Sequence, residues 1–321
     1  MVTVDYDAIR HNALFFKKIL KQSKLCAVLK NDAYGHGLVD TAKALCGIAP
    51  FAAVGSVREA VAVRKYFDEV LVLLPVSENE VGEAVRRDVI LSADSMLSLR
   101  RIARHRGARV HLKINSGMNR LGFSAEQLPA ALQFALSRIR LCGAYTHFYG
   151  TDNPSMRSPL EYFLRCRALF DGCGMVFHAA NTAAALKDSR FHLDMARVGL
   201  GLYGYGAPQL VPAKKVSAKV IAVRRVKAGS HVCYGDFLLQ KDADVAIVDF
   251  GYANGWCRAL AAQAKIKGKT CQVLGKPCMA MTAFDVSGAK VSVGDEAVLL
   301  GDGVNNGDSD VSIYELLCNL R

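Results

Sequence analysis

Short apolar runs recur through the first two thirds of the chain, each about as long as a buried strand, and amphipathic stretches of helical length separate them. The runs fall at Leu25–Leu29, Phe51–Gly55, Val70–Leu74, Val89–Ala93, Val110–Ile114, Leu141–His147, Val176–Ala180 and, more briefly, Met195–Val198. Helical pattern fills Ser56–Phe67, Glu78–Arg87, Glu126–Arg138, Pro159–Asp171 and Asn181–Asp188. At the start, Asp7 is placed to cap a helix through Ile9, Leu14, Phe15 and Leu20, with Lys17, Lys18 and Lys21 toward its C-terminal end. Strands alternating with helices in this way predict an α/β fold, a parallel (β/α)8 TIM-like barrel over residues 1–212. After Pro212 the texture changes: Val216–Val226, Asp244–Asp249, Gln272–Val273 and Glu296–Leu300 are strand-like, and helical pattern returns only at Tyr314–Cys318. Residues 213–321 are therefore expected to form a C-terminal, mostly β domain, with no repeat and no low-complexity linker before it.

In a parallel barrel the chemistry sits at the C-terminal ends of the strands. Lys30, Ser56, Lys113, His147, Asn181 and Arg197 all fall at such ends. A doubly wound sheet with its own strand-end site is the alternative arrangement.

Composition narrows the function classes. Hydrophobic residues make up 51% and charged residues 22%, as in an ordinary soluble protein, and no apolar run reaches the ~18 residues of a membrane span. Met1–Asp7 has neither a basic nor an apolar leader segment. The ten cysteines are neither dense nor arranged as CxxC pairs, which speaks against a zinc ribbon or a disulfide scaffold and for reduced thiols in the cytoplasm, and no metal is expected. The net charge of +12 raises the question of nucleic acid. Its densest basic stretch, Leu99–Arg109, reads as one solvated helix and the turn after it, with no nucleic-acid-binding signature beside it.

The most informative stretch is Ala27-Val28-Leu29-Lys30-Asn31-Asp32-Ala33-Tyr34-Gly35-His36-Gly37. It puts an amine at a strand mouth, ahead of the turn-formers Asn31 and Asp32 and of glycines that let backbone approach an anion. Lysine beside a phosphate-friendly loop suits a covalent bond to the aldehyde of pyridoxal phosphate. This segment resembles the cofactor-attachment segment of the alanine racemase family, and the resemblance extends from Val4 to about Leu320.

Further segments carry the resemblance. Val110–Phe123 is similar to the family's second signature, in which the lysine matching Lys113 is commonly carbamylated and holds the arginine matching Arg120, a group suited to a substrate carboxylate. Tyr145-Thr146-His147-Phe148 implies His147 beside the cofactor ring. His178–Ala184 places Asn181 or Thr182 as a helix cap, and the resemblance adds both to the cofactor site, with Thr182 where the family usually has serine. Ala196–Gly204 implies that Arg197 donates to the pyridine nitrogen, keeping it unprotonated, while Gly199 and Leu200 offer amides to the phosphate; Val198 replaces the usual proline. Tyr34 joins the cofactor site by the same resemblance.

In the second domain, Cys233-Tyr234-Gly235 is similar to the family's Ser-Tyr-Gly segment and makes Tyr234 the second catalytic base beside Lys30. A phenol ionises near ~10, so a neighbouring positive network is needed for that role. Phe250–Trp256 resembles the segment lining the active-site entrance, with Tyr252 as a supporting residue and Asn254 where aspartate is usual; in Gly275–Met281, Met279 meets the substrate and Ala280 replaces aspartate. Family members continue into a final strand with another phosphate-contacting tyrosine, beyond the point where this chain ends at Arg321. The resemblance implies a pyridoxal-phosphate-dependent racemase acting on L- and D-alanine by two bases, working as a homodimer with a shared active site and supplying peptidoglycan synthesis. The alternatives are a racemase of wider specificity and a non-catalytic pyridoxal-phosphate-binding protein; a decarboxylase would need the substrate carboxylate out of reach of Arg120.

Overall fold

The computed structural model describes residues 1–170, 174–258, 262–304 and 312–320. The chain divides into two compact units, one comprising Tyr6–Ala33 and Gly37–Val211, the other Met1–Asp5, Tyr34–His36 and the chain from Pro212 onward. The expected division at 212 thus differs in two short stretches. Strand β1 (Val2–Val4) leaves the N-terminal part because its hydrogen-bonding edge is met by Lys214–Val216, an antiparallel pairing that a single strand's own sequence does not encode.

The first unit opens with helix α1 (Tyr6–Leu20), which buries Ile9, Ala13 and Phe16 on one face. Asp7 lies inside its first turn rather than before it, so it acts on the helix dipole and not as the N-cap. Then come β2 (Lys24–Val28), α2 (Lys30–Gly35), α3 (Leu38–Leu45), β3 (Phe51–Val54), α4 (Val57–Val63), β4 (Glu69–Val72), α5 (Glu78–Arg86), β5 (Ile90–Ala93) and α6 (Met96–Ile102). The series continues with β6 (Arg109–Lys113), α7 (Leu128–Leu136), β7 (Arg140–Tyr145), α8 (Asn153–Arg167), β8 (Val176–His178), α9 (Thr182–Lys187) and β9 (Met195–Val198). Strands β2 to β9 close into a barrel whose pairs are all parallel, and the last step joins β9 back to β2. β3, β5 and β9 are buried at every position, as strands covered on both faces must be.

Three helical expectations need correction. The basic stretch Leu99–Arg109 is a helix end and the turn after it, with Arg100, Arg104 and Arg106 exposed, but α6 begins earlier than expected, at Met96 with Ser95 as its cap, and ends at Ile102, burying Leu99 and Ile102. No helix was expected at Leu38–Leu45, directly after the Tyr34–Gly37 stretch, where α3 stands with its apolar face carried by Ala42 and Leu45. Helix α8 starts at Asn153, capped by the Asp152 carboxylate, well before Pro159; the expected end at Asp171 lies outside the described residues.

The second unit is an antiparallel sheet in the order β1-β10-β11-β14-β13-β12-β15. Its members are β10 (Lys214–Val226), β11 (Ala243–Val248), β12 (Gln263–Ile266), β13 (Lys269–Leu274), β14 (Thr282–Asp285) and β15 (Glu296–Leu300), followed by helix α10 (Ile313–Asn319). The long β10 is its spine, pairing with β1 and β15 through its first half and with β11 through its second. Within this unit Lys214 is 1% exposed, and its ammonium donates to the carbonyls of Leu317 at 2.7 Å and Leu320 at 2.9 Å, where the negative end of the α10 dipole offsets the burial of a cation.

Candidate active site

The backbone after β2 is unusual. Asn31, Asp32, Ala33 and Tyr34 all have φ near 55°, and Gly35 has φ 71°, so α2 is a left-handed turn and not the simple loop that Asn31 and Asp32 suggest. Left-handed helix costs about 1–2 kcal/mol per L-residue, and such a run persists only where its surroundings hold it. Here the Glu59 carboxylate does so: Oε1 accepts from the Asp32 amide at 3.1 Å and Oε2 from the Gly55 amide at 2.8 Å. Asp32 in turn accepts from the Leu38 amide at 2.8 Å. Glu59 reaches both because Ser56 caps α4 and sets Glu59 in its first turn. Lys30 is thereby held at the mouth of the barrel, at the first residue of α2.

The strand ends around that mouth collect cations. Lys113 ends β6, and Arg197 lies in β9 with 4% exposure. Lys113, Asn115, Ser116, Met118, Arg120 and His147 line one small cavity. Burial first, then the Arg120 and Arg197 charges, pull the Lys113 amine down to about 8, with Lys30 adding to the same effect and Asp94 opposing it.

Arg197 anchors a buried chain of imidazoles. Its Nη1 donates to His178 Nδ1 at 2.7 Å, and its Nη2 to the carbonyls of Thr146 at 2.7 Å and Ala179 at 3.1 Å, with His147 Nδ1 at 3.3 Å. A guanidinium only donates, so His178 Nδ1 must accept. The His178 proton then sits on Nε2 and is donated to His111 Nδ1 at 2.9 Å. His178 stacks on Tyr145 with ring centroids 5.0 Å apart, and the same Tyr145 ring lies 5.2 Å from the Arg197 guanidinium carbon and 5.8 Å from the Lys113 ammonium.

All three imidazoles are held neutral. Burial, aided by the Arg109 and Arg197 charges, takes His111 down to about 3, and burial with Arg197, Arg120, Lys30 and Lys113 does the same to His147. His178 is lowered as well, chiefly by burial. An unfolded histidine binds its proton near 6.5, so between that pH and about 3 the unfolded chain takes up more protons than the folded one. The stability His111 contributes is complete above pH 6.5 and is lost toward pH 3, at ~1.4 kcal/mol per pH unit. Urea unfolding followed from neutral to mildly acidic pH should show this slope, and His111→Gln should flatten it by about one proton; an unchanged slope would refute the assignment.

Asn181 is the N-cap of α9, accepting from the Ala184 amide at 3.0 Å. Thr182 therefore has its hydroxyl available elsewhere, and it accepts from the amides of Gly199 at 3.3 Å and Gly201 at 3.1 Å. The Gly199 amide, expected to face a phosphate, is turned to Thr182 here. Gly201 packs so closely on Phe16 that a Cβ would lie 2.5 Å from its ring. Val198, where the family has proline, is buried in β9 and registers with Ala27 of β2.

The second unit holds Tyr34, Tyr234, Tyr252 and Met279. Tyr34 is buried, its ring 5.9 Å from that of Tyr314, and burial pushes its phenol far above the ordinary range. Tyr234 is 61% exposed and pairs with Lys276 across an isolated antiparallel bridge. The cation beside it is Arg258, whose guanidinium carbon lies 5.8 Å from the Tyr234 ring and 5.7 Å from the Tyr252 ring. Asn254 keeps an acceptor where aspartate is usual, taking the Gly251 amide at 3.0 Å and closing the Tyr252 turn. Ala280, exposed beside Met279, supplies none.

Glu59, His111, His178 and Arg258 were not singled out from sequence. His111 and Lys113 alternate at the period of a strand, so Lys113 could have pointed to His111 as a second inward residue. Glu59 and Arg258 leave no such trace.

A closed parallel barrel whose strand ends gather lysines, arginines and neutral imidazoles, in a chain with an antiparallel β unit, is the architecture of a barrel enzyme with a second, antiparallel unit. The chain belongs to the alanine racemase family: the family's N-terminal domain matches residues 4–207 and its C-terminal domain residues 213–320. It is similar to the alanine racemase of Desulforamulus reducens, with 32% identity over 93% of this chain and 89% of the relative. Alanine racemase 1 of Bacillus subtilis is 32% identical over 99% of this chain and 87% of its own length. Among solved structures, the biosynthetic alanine racemase from Pseudomonas aeruginosa superposes with a TM-score of 0.93 at 30% identity, covering 100% of this chain and 96% of that one.

Proposed function

We propose that this chain is a pyridoxal-phosphate-dependent racemase that interconverts L- and D-alanine in the cytoplasm and supplies D-alanine for peptidoglycan. The observation that carries the reading is the set of cations at the barrel mouth, Lys30, Lys113, Arg120 and Arg197, whose charges act on one another with Asp94 as the opposing carboxylate. A site of that charge suits a ligand with a phosphate and a substrate with a carboxylate.

The residues fit the cofactor on two counts. Arg197 makes its hydrogen bonds through Nη1 and Nη2, and among the described residues its Nε meets no partner, which leaves one N–H for a ring nitrogen. The Thr182 hydroxyl gathers the Gly199 and Gly201 amides, and on binding a phosphate would take over the Gly199 amide, with Asn181, Thr182 and Leu200 as its neighbours; the family likeness adds Tyr34 as a further donor. When bound, pyridoxal phosphate supplies an aldehyde that bonds amines and a ring that takes up the electron pair of the broken Cα–H bond. Lys30 would hold that aldehyde, and its amine would serve as acid or base on one face of Cα. Tyr234 serves the other face, each residue acting as base in one direction and acid in the reverse. Arg120 and the Met279 segment orient the substrate carboxylate, and Tyr252 supports the entrance.

Lys113 carries a carbamate in this reading. With its amine near 8, an appreciable neutral fraction exists at neutral pH; it adds CO2, releases a proton and becomes an anion between Arg120 and Arg197. Carbon-13 NMR in labelled bicarbonate should show one carbamate resonance that grows as pH rises through about 8 and is absent from Lys113→Arg. A spectrum without it would refute the carbamate.

Tyr234, Met279, Met281, Phe237 and Leu238 stand exposed on the second unit. Such a face suits a homodimer in which Tyr234 enters the barrel mouth of the partner copy. The match over residues 213–320 weighs against a non-catalytic cofactor-binding protein, which would resemble the barrel alone. The deciding experiment is the circular dichroism of L-alanine incubated with purified protein and pyridoxal phosphate. A protein-dependent decay to zero is the expected result, and persistence of the signal with the cofactor bound would overturn the activity.

A further inference from the structure

We propose that Cys233 and Cys278 are the two halves of a reversible disulfide that clamps the Tyr234 segment to the Met279 segment. Cys233 immediately precedes Tyr234, and Cys278 immediately precedes Met279. The Lys276 amide donates to the Tyr234 carbonyl at 3.1 Å, and at Gly275 a Cβ would run into the Val232 carbonyl oxygen, so the two segments run backbone against backbone. The thiols meet across that seam, both in the free form, Cys233 exposed and Cys278 half-buried. Each cysteine sits on a segment that carries exposed chemistry. The Cys278 carbonyl accepts from the Tyr252 amide at 3.1 Å and that of Met279 from the Ala253 amide at 2.9 Å, so the clamp would also hold the Tyr252 turn.

The oxidant is a low-molecular-weight disulfide, RSSR. One protein thiolate attacks a sulfur of RSSR and expels one RS⁻; the second protein thiolate attacks the resulting mixed disulfide and expels the other. Two protein thiols are oxidised, one RSSR is reduced to two RSH, and the protons lost by the protein thiols end on the RSH. Burial and the neighbouring Cys278 sulfur hold the Cys233 thiol up at about 11, so its thiolate is scarce at neutral pH and the reaction speeds up as pH rises. That makes the pair a response to sustained oxidation and not a fast catalyst. The functional consequence rests on the racemase reading: a clamped Tyr234 loses the freedom to settle against Cα, and displacement of about 1 Å costs roughly 10²-fold in rate.

The test treats the full chain with bound pyridoxal phosphate with oxidised glutathione, alkylates the remaining thiols, digests, and reads the peptides by mass spectrometry. A linked pair holding Cys233 and Cys278, two hydrogens lighter than the separate peptides and lost on adding dithiothreitol, is expected. Racemisation should fall with the same time course and recover on reduction, while Cys233→Ser forms no link and keeps its rate. Cys233 and Cys278 alkylated separately, or joined to other cysteines, would overturn the bond, and a linked chain of unchanged rate would overturn the clamp. A linked pair in a chain that never racemises alanine would uphold the bond and refute the racemase reading alone.

Discussion

Lys30→Ala should reduce alanine racemisation by about 10⁴-fold or more, because one side chain is asked both to bond the cofactor and to move a proton at Cα. The two roles separate experimentally. Loss of the covalent bond removes the absorbance of the lysine-bound cofactor, whereas loss of the base persists even where substrate amine enters the site directly. A small primary amine in solution should restore part of the proton transfer without restoring the attachment. The left-handed turn gives the control for folding: it is held by Glu59 and Asp32 through backbone amides, none of which involves the lysine side chain. The Lys30→Ala chain should therefore keep the far-ultraviolet circular dichroism of the parent. Racemisation within a few-fold of the parent rate would remove Lys30 from the mechanism.

Tyr234→Phe should cost about 10²- to 10⁴-fold in racemisation in both directions, since inversion needs a proton removed on one face and returned on the other. The informative measurement is exchange rather than turnover. With only the Lys30 face served, one enantiomer of alanine should still exchange its Cα hydrogen for solvent deuterium, and the other should not. Tyr234 is exposed and its ring is flanked by Arg258, so deleting one hydroxyl leaves no buried hole and no change in stability is expected. Both enantiomers exchanging alike, or an unchanged racemisation rate, would send the search for the second base elsewhere.

How far the sequence led depends on whether a feature is local. The barrel strands were legible because each is a short apolar run buried on both faces: β5 and β9 lie within a residue of expectation. Lys30, Lys113, His147 and Arg197 were legible by position, since a polar residue at the end of such a run marks the mouth of a parallel barrel. The short strands β1, β12 and β14 were missed because their patterns are too brief to distinguish from loops. The left-handed turn at Asn31–Tyr34 was also hidden: Asn31 and Asp32 announce a turn, but its hand is imposed by Glu59, nearly thirty positions away.

The amino-acid pattern by itself determined the alternation of strand and helix, the change of texture after Pro212, and the residue types available at the strand ends, because hydrophobic period and turn chemistry act over a few residues. Only the tertiary structure decided which groups share an environment. Arg197, His178 and His111 come from three strands and become one proton-ordered chain only when β6, β8 and β9 lie in one barrel. Lys113 is an ordinary lysine in sequence and is drawn down to about 8 by burial and by cations that folding brings to it. Cys233 and Cys278 are forty-five positions apart and meet because one antiparallel bridge joins Tyr234 to Lys276. Desolvation and charge–charge interaction are non-local quantities, set by distance in space, and the chain acquires them only on folding.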